Sequence, residues 1–227
     1  MRMVLLHGFT GYARSFAHLE VDAVTPDLPG HNGAPPATSW EDALDRLAPL
    51  LDPGPVVLGG YSMGARLALG LALRRPERIA RLVLASGTAG IEDEGERARR
   101  QADDEELARF VEQRGVPAFV ERWERNPILA SLQPFQMQQL RLERLQHDAR
   151  GLASALRHLG TGAQPSYWSE LGRLDLPVTL LAGKRDPKFT ALAARLHLGL
   201  PHSEIRLLEC GHVLHVEQPE AFRGALR

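Results

Sequence analysis

The pentapeptide Gly60-Tyr61-Ser62-Met63-Gly64 limits the fold of this chain more than any other feature of the sequence. A short apolar run precedes it and a helical pattern follows it. A serine between two glycines at such a junction is typical of a sharp strand–turn–helix, in which the serine is strained and the glycines let strand and helix approach. The sequence therefore predicts a strand that ends at a reactive serine. A glycine-rich turn without chemistry remains the alternative.

Short apolar runs alternate with helical patterns over most of the chain. Such alternation is typical of a parallel sheet covered by helices on both faces, so the sequence predicts an α/β fold with a mostly parallel sheet. The predicted strands span residues 3–6, 21–25, 56–60, 82–86, 176–182 and 204–208, and the predicted helices around them span residues 40–51, with Ser39 as N-cap, 65–73, 190–198 and 219–226.

This alternation stops in the middle of the chain. Residues 91–166 contain no convincing strand, and charged helix formers dominate there. Aromatic residues and repeated leucines give the stretch apolar surface to bury, which argues against a disordered linker. We predict a helical cap at residues 90–166, inserted into a core that residues 1–89 and 167–227 form.

Composition argues against several classes of protein. The chain has 27 basic and 28 acidic residues among 227, so it lacks the basic excess of a nucleic-acid-binding protein. No apolar stretch approaches the roughly 18–20 residues of a membrane span. The apolar start is too short for a signal peptide, so the cytoplasm is the expected location. The single cysteine, Cys210, excludes an internal disulfide and a zinc site built from several thiolates.

A reactive serine needs a histidine beside it and an acid behind that histidine. We predict Asp186, in the turn after strand 176–182, as the acid. His212, in the loop after strand 204–208, is the predicted histidine, and His215 is its rival but lacks an adjacent glycine. A turn-forming role for Asp186 and a plain loop role for His212 stay open.

Acyl or enolate chemistry also needs donors for a developing oxyanion. The backbone N–H of Met63, directly after the serine, is one predicted donor. The other is the backbone N–H of Phe9, in the loop after the first strand, where Gly8 allows close approach. A purely structural turn at His7-Gly8 is the alternative, and it is compatible with this role.

On these motifs the chain resembles the α/β-hydrolase superfamily over nearly its whole length, with residues 90–166 as its lid or cap. The order serine, acid, histidine is the order of that fold. One departure is visible, because members usually begin with one or two antiparallel strands that this chain has no room for. We therefore expect a shortened sheet edge, or a true start upstream of Met1.

A finer resemblance is to the 2-succinyl-6-hydroxy-2,4-cyclohexadiene-1-carboxylate synthases of menaquinone (vitamin K2) biosynthesis. Its most diagnostic element is the Pro-x-x-Ala-Ser-Leu run at residues 127–132, which a generic hydrolase does not need. The full set of matching stretches is residues 60–66, 183–189, 211–212, 96–101 and 126–132, together with Trp123 and Arg144.

The resemblance implies a lyase that forms no acyl-enzyme. Ser62, activated by His212 and Asp186, would remove a ring proton from 2-succinyl-5-enolpyruvyl-6-hydroxy-3-cyclohexene-1-carboxylate. The backbone N–H groups of Met63 and Phe9 would stabilise the enolate, and pyruvate would leave by elimination. The resemblance implies no metal and no cofactor.

The resemblance also implies a small anionic substrate with several carboxylates, held by Arg66, Arg100 and Arg144. Arginine grips carboxylates through two parallel hydrogen bonds. Of the 27 basic residues all but two are arginine, however, so each could be a solvated helix residue. Further candidate pocket residues are Tyr61, Trp123, for which a core role is equally open, and Lys188, which with Lys184 could attract an anion or simply lie on the surface.

Two other classes of function compete with the lyase. A serine hydrolase would cleave an ester, thioester or C–C bond through an acyl-enzyme at Ser62, and would need no carboxylate clamp. A non-catalytic binding protein is disfavoured because serine, acid and histidine all occur in order. We expect no nucleic-acid or membrane partner, and a monomer or a small homo-oligomer.

Overall fold

A computed structural model describes all residues from 1 to 227. Its centre is a five-stranded sheet in the order β1-β2-β3-β4-β5, and every neighbouring pair of strands is parallel. The predicted α/β architecture is therefore confirmed. The strands are β1 (Met3–Leu6), β2 (Val56–Tyr61), β3 (Ile79–Ala85), β4 (Val178–Gly183) and β5 (Ser203–Leu208).

Eight helices and five short 3-10 segments accompany the sheet. The first helix begins as predicted, because the hydroxyl of Ser39 accepts a hydrogen bond from the N–H of Asp42 at 3.0 Å. The helices are α1 (Trp40–Leu47), α2 (Met63–Arg74), α3 (Glu94–Trp123), α4 (Pro134–Arg144), α5 (Ala149–Leu159), α6 (Pro187–Gly199), α7 (Leu214–Glu217) and α8 (Pro219–Leu226). The 3-10 segments are Ala13–Leu19, Ala48–Leu51, Pro76–Arg78, Pro127–Leu129 and Trp168–Arg173.

The sheet separates two apolar cores. Successive side chains of a strand point to opposite faces, so Val4 and Leu6 pack into one core and Leu5 into the other. Every residue of β2 and of β4 is buried, which explains why these strands read as continuous apolar runs rather than as alternating ones.

Between β3 and β4 the chain forms helices and no strand, in agreement with the sequence pattern. The long helix α3 is broken at Gly115, whose backbone has φ 79° and ψ 169°. No helix combines the length and the apolar character that crossing a bilayer requires.

The predicted strand at residues 21–25 is wrong. Only Val24 joins the sheet, through a single parallel bridge to Val4 on β1. The bridge consists of the Val24 N–H bonded to the Met3 carbonyl at 2.8 Å and the Leu5 N–H bonded to the Val24 carbonyl at 2.9 Å. It cannot lengthen in the chain direction because Pro26 has no N–H to donate.

Candidate active site

Ser62 lies at the carboxyl edge of the sheet, between the last residue of β2 and the first of α2. Its backbone has φ 52° and ψ −108°, which L-residues rarely adopt. No side chain fits at either of the two glycines that flank this turn. A Cβ on Gly60 would lie 2.3 Å from the carbonyl oxygen of Gly64, and one on Gly64 would lie 2.0 Å from that of Leu6. The predicted strand–turn–helix is confirmed.

Two loops bring an acid and a histidine to this serine. Asp186 precedes α6, and its Oδ1 accepts the N–H of Phe189 at 3.2 Å. Nδ1 of His212, in the loop after β5, lies 2.8 Å from Oδ2 of Asp186. Nε2 of the same ring lies 3.2 Å from Oγ of Ser62. With the Nδ1 proton donated to the carboxylate, Nε2 is free to accept the serine proton.

The structure separates His212 from its rival His215. The ring of His215 packs against the ring of Tyr61, with centroids 4.6 Å apart, and makes no hydrogen bond to Ser62. Burial lowers the pKa of His215 to about 3, so its ring is neutral near pH 7. Of the two histidines, only His212 can exchange a proton with Ser62.

The two expected oxyanion donors lie at the same cavity. The N–H of Phe9 has no hydrogen-bond partner within the protein. Met63 is the first residue of α2, where helices leave N–H groups without intrahelical partners. His7 fixes the Phe9 loop, because Nδ1 donates to the carbonyl of Gly8 at 2.8 Å and Nε2 accepts the N–H of Leu28 at 3.0 Å.

A cavity of about 1460 Å³ opens above Ser62, between the sheet edge and the helices of residues 90–166. It brings together every site residue that the sequence singled out. These are Phe9, Tyr61, Ser62, Met63, Arg66, Arg100, Trp123, Arg144, Asp186, Lys188 and His212.

Arg66 lies on α2 and its side chain is buried at the base of the cavity. It donates to the carbonyl of Leu159 at 2.8 Å and to Oε1 of Gln164 at 3.4 Å. Burial lowers the pKa of Arg66 to about 9, which leaves the guanidinium charged near neutral pH. A positive charge therefore remains on a buried side chain at the wall of the cavity.

The two arginines of the helical segment that the sequence predicted as substrate ligands have acidic partners. Nε of Arg100 contacts both carboxylate oxygens of Asp104, at 2.9 and 3.0 Å, which leaves its two terminal nitrogens uncommitted. Arg144 is 4% exposed and donates to Oε1 of Glu124 at 3.3 Å. Its Nε is buried and has no partner. Burial lowers the pKa of Arg144, and Glu124 opposes that shift.

The remaining predicted pocket residues differ in their surroundings. Tyr61 is buried, and burial raises the pKa of its hydroxyl. Trp123 packs between the rings of Phe9 and Phe119, at 5.2 and 5.9 Å, so it is part of the apolar packing as well as of the cavity wall. Lys188 forms no ion pair, whereas Lys184 is paired with an exposed glutamate.

Comparison with known proteins identifies the family. Residues 3–225 match the alpha/beta hydrolase family. The chain belongs to the alpha/beta hydrolase family. It is 39% identical, over 97% of this chain and 86% of the relative, to a putative 2-succinyl-6-hydroxy-2,4-cyclohexadiene-1-carboxylate synthase of Bacillus subtilis. It is 32% identical to the synthase of Citrobacter koseri, over 96% of this chain and 88% of the relative.

A solved structure agrees with these relatives. MenH from S. aureus superimposes with a TM-score of 0.93 at 31% identity, covering 99% of this chain and 91% of that one. These matches confirm the resemblance that the motifs predicted. They also show that the chain is an enzyme of the alpha/beta hydrolase family.

Several residues that support this alpha/beta hydrolase site could not be identified from the sequence alone. Ser86, with φ 50°, donates its hydroxyl proton to the backbone carbonyl of His212 at 3.2 Å and so supports the histidine loop. Gln164 and Glu124 hold arginines across long sequence separations, which no local pattern reveals. Of these supporting residues, only Asp104 could have been predicted, because it lies four residues after Arg100 and this spacing favours an ion pair on a helix. No cluster of three or more metal-binding side chains occurs.

Proposed function

We propose that this chain converts 2-succinyl-5-enolpyruvyl-6-hydroxy-3-cyclohexene-1-carboxylate into 2-succinyl-6-hydroxy-2,4-cyclohexadiene-1-carboxylate and pyruvate. Relatives that carry the name of this synthase support the proposal. The observation that favours this lyase over an ordinary esterase is the set of arginines in the cavity. Arg66, Arg100 and Arg144 line the same cavity as Ser62, and a substrate with several carboxylates requires such a set of cations.

The reaction begins with proton removal by Ser62. Nε2 of His212, at 3.2 Å, accepts the serine proton while Asp186 stabilises the imidazolium. The serine oxygen then takes the proton from the ring carbon that bears the succinyl group. This C–H bond breaks and its electron pair passes into the neighbouring carbonyl as an enolate. The N–H groups of Phe9 and Met63 donate to the enolate oxygen.

Collapse of the enolate completes a 1,4-elimination. Its electrons re-form the carbonyl and move the ring double bond by one position, which creates the second double bond and breaks the C–O bond to the enolpyruvyl group. His212 returns its proton to the leaving enolate, which becomes pyruvate. Ser62 ends protonated as it began, so no acyl-enzyme and no external oxidant or reductant is needed.

We further propose that the chain is divided as the sequence indicated. Residues 1–89 and 167–227 form the catalytic core, and residues 90–166 form a cap that supplies Arg100, Arg144 and Trp123 to the substrate. Tyr61 and Lys188 contribute from the core. The uncommitted nitrogens of Arg100 and the unpartnered Nε of Arg144 support this assignment, because each is a donor without a protein acceptor.

A serine hydrolase is the second candidate. The same serine, histidine and backbone donors would serve acyl transfer equally well, with Ser62 as nucleophile instead of base. The arginine set argues against it, because a neutral ester gains nothing from three buried or half-buried guanidinium groups.

The deciding experiment measures pyruvate release from the enolpyruvyl substrate, generated in situ, beside hydrolysis of a p-nitrophenyl ester. We expect fast pyruvate release and little ester cleavage. Ser62→Ala should lower kcat for pyruvate release by about 10²- to 10⁴-fold with an unchanged melting temperature, because the general base is lost.

The arginine clamp has a matched control. Arg144→Met should lower kcat/KM by about 10- to 100-fold through loss of a charged hydrogen bond to substrate. Arg173→Met should leave kcat/KM unchanged, since Arg173 is exposed, pairs only with Glu170 and lies outside the cavity. Ester cleavage without pyruvate release above the uncatalysed rate would instead establish the hydrolase.

A further inference from the structure

The last strand of the sheet, β5, has a free edge. Its even-numbered positions face β4, because the carbonyl of His202, just before the strand, accepts the N–H of Val178 at 2.8 Å. At the other end the carbonyl of Leu208 accepts the N–H of Lys184 at 2.9 Å. Successive residues of a strand alternate in direction, so the odd-numbered positions face away from β4, and no loop backbone bonds to them. These positions are Ser203, Ile205 and Leu207.

The opposite edge of the sheet is already occupied. On β1 the carbonyl of Met3 and the N–H of Leu5 are both bonded to the backbone of Val24. An unpaired edge is a template on which a further strand can form hydrogen bonds. Of the two edges, β5 therefore offers the longer unpaired run.

Two opposite charges lie on one face of β5. Glu204 and Arg206 alternate with Ile205, so both side chains are on the same face, and Oε1 of the glutamate lies 2.6 Å from Nη2 of the arginine. The hydroxyl of Thr179, on β4, donates to the same oxygen at 3.1 Å. The side chains of Glu204 and Arg206 are 53% and 44% exposed. The charges are thus held in place and remain accessible to a partner.

The order of these charges fits a second copy of the same strand. A twofold axis makes two copies of β5 antiparallel. With the axis at Ile205, Glu204 of each copy lies directly opposite Arg206 of the other, and the outward-facing positions meet as hydrogen-bonded pairs. An axis at residue 204 or 206 would instead oppose two glutamates or two arginines, which is unfavourable. Charge complementarity therefore selects one register.

We propose that β5 is a homodimer interface, at which two copies of the chain join their sheets edge to edge about a twofold axis at Ile205. Leu207, a large apolar side chain that is 41% exposed, then lies diagonally beside Ile205 of the other copy. No residue of β5 lines the cavity above Ser62. The dimer therefore goes beyond the proposed reaction and does not depend on it.

Sedimentation equilibrium of the full chain measures the dissociation constant of this dimer. Arg206→Glu should raise the constant by about 10-fold or more, because two glutamate–glutamate contacts replace two ion pairs. The double variant Glu204→Arg with Arg206→Glu restores the opposition of charges, so its constant should return to within about three-fold of the original. Arg150→Glu, an equal reversal of an exposed arginine on α5, is the control and should have no effect.

A disulfide tests the register directly. In the proposed pairing residue 203 of one copy faces residue 207 of the other, at about 5.5 Å between Cα atoms, which a disulfide can span. A mixture of Ser203→Cys and Leu207→Cys chains should form a linked dimer under mild oxidation, and neither variant alone should do so. The natural thiol of Cys210 is buried and does not compete.

Several results would overturn the dimer at β5. A chain that stays monomeric at its highest soluble concentration would do so, and so would a dimer that Arg206→Glu leaves equally tight while its circular dichroism spectrum shows a folded chain. Loss of such a dimer in Leu142→Gln would place the interface on α4 instead, where Leu142 is 62% exposed. A disulfide formed by either cysteine variant with itself would contradict the axis at Ile205.

Discussion

At the residue scale, the glycines of the motifs around the site leave no space for a side chain. Backbone atoms lie where a Cβ of Gly60, Gly64 or Gly183 would stand, at 2.0 to 2.3 Å. Backbone cannot move aside as the end of a flexible side chain can. These positions were recognisable from the sequence as motif glycines, but the contact between Gly211 and Ser131 was not, because its partner lies 80 residues away.

Gly64→Ala tests the steric requirement of the turn. We expect the free energy of unfolding to fall by about 3 kcal/mol or more, since the new methyl group would overlap the Leu6 carbonyl oxygen. Gly224→Ala on α8 is the matched control. Nothing lies within 4 Å of its Cβ position, so it should stabilise by about 0.5–1 kcal/mol. Urea denaturation measures both, and equal effects of the two changes would contradict the steric argument.

At the element scale, the sequence predicted all five strands of the sheet well, but it also predicted a strand at residues 21–25 that the structure lacks. β2 and β4 are buried along their whole length, so their apolar runs are unambiguous. The run at 21–25 has only three apolar residues among five, and whether it pairs depends on the neighbouring strand and on Pro26. Glu217 on α7 was missed for a related reason. Its carboxylate is 4% exposed and accepts the N–H groups on both sides of His212, but a glutamate in a short helix has the pattern of an exposed residue until the fold buries it.

The break in α3 gives a prediction for one element. Gly115, with φ 79° and ψ 169°, occupies a region that only glycine adopts readily, and its Cβ position has only Pro117 nearby, at 3.8 Å. Gly115→Ala should therefore lower the free energy of unfolding by about 1–3 kcal/mol through backbone strain alone. Gly54→Ala, at an open position without positive φ, should change it by less than about 0.5 kcal/mol. Stability of Gly115→Ala equal to that of the control would show that α3 straightens without cost.

At the scale of the whole molecule, four buried histidines besides His212 are built into the packing around the site and beneath the helical segment. His7, His31 and His147 form a chain of ring contacts, with centroids 5.1 and 5.4 Å apart. His147 also joins the helical segment to the core, because Nε2 donates to the carbonyl of Thr10 at 3.0 Å. Burial lowers the pKa of all three and of His215. This packing therefore depends on uncharged imidazoles.

This arrangement predicts a loss of stability in mild acid. The unfolded chain binds a proton at each histidine near pH 6.5, whereas His7 and His215 in the folded chain bind one only at about pH 3. Stability is therefore complete above pH 6.5 and falls as the pH falls toward 3, by about 1.4 kcal/mol per pH unit for each such histidine. Urea denaturation at several pH values measures this slope. His215→Phe, which keeps the ring packing, should reduce the slope by one proton. A slope that His215→Phe leaves unchanged would mean that His215 titrates alike in the folded and unfolded chain.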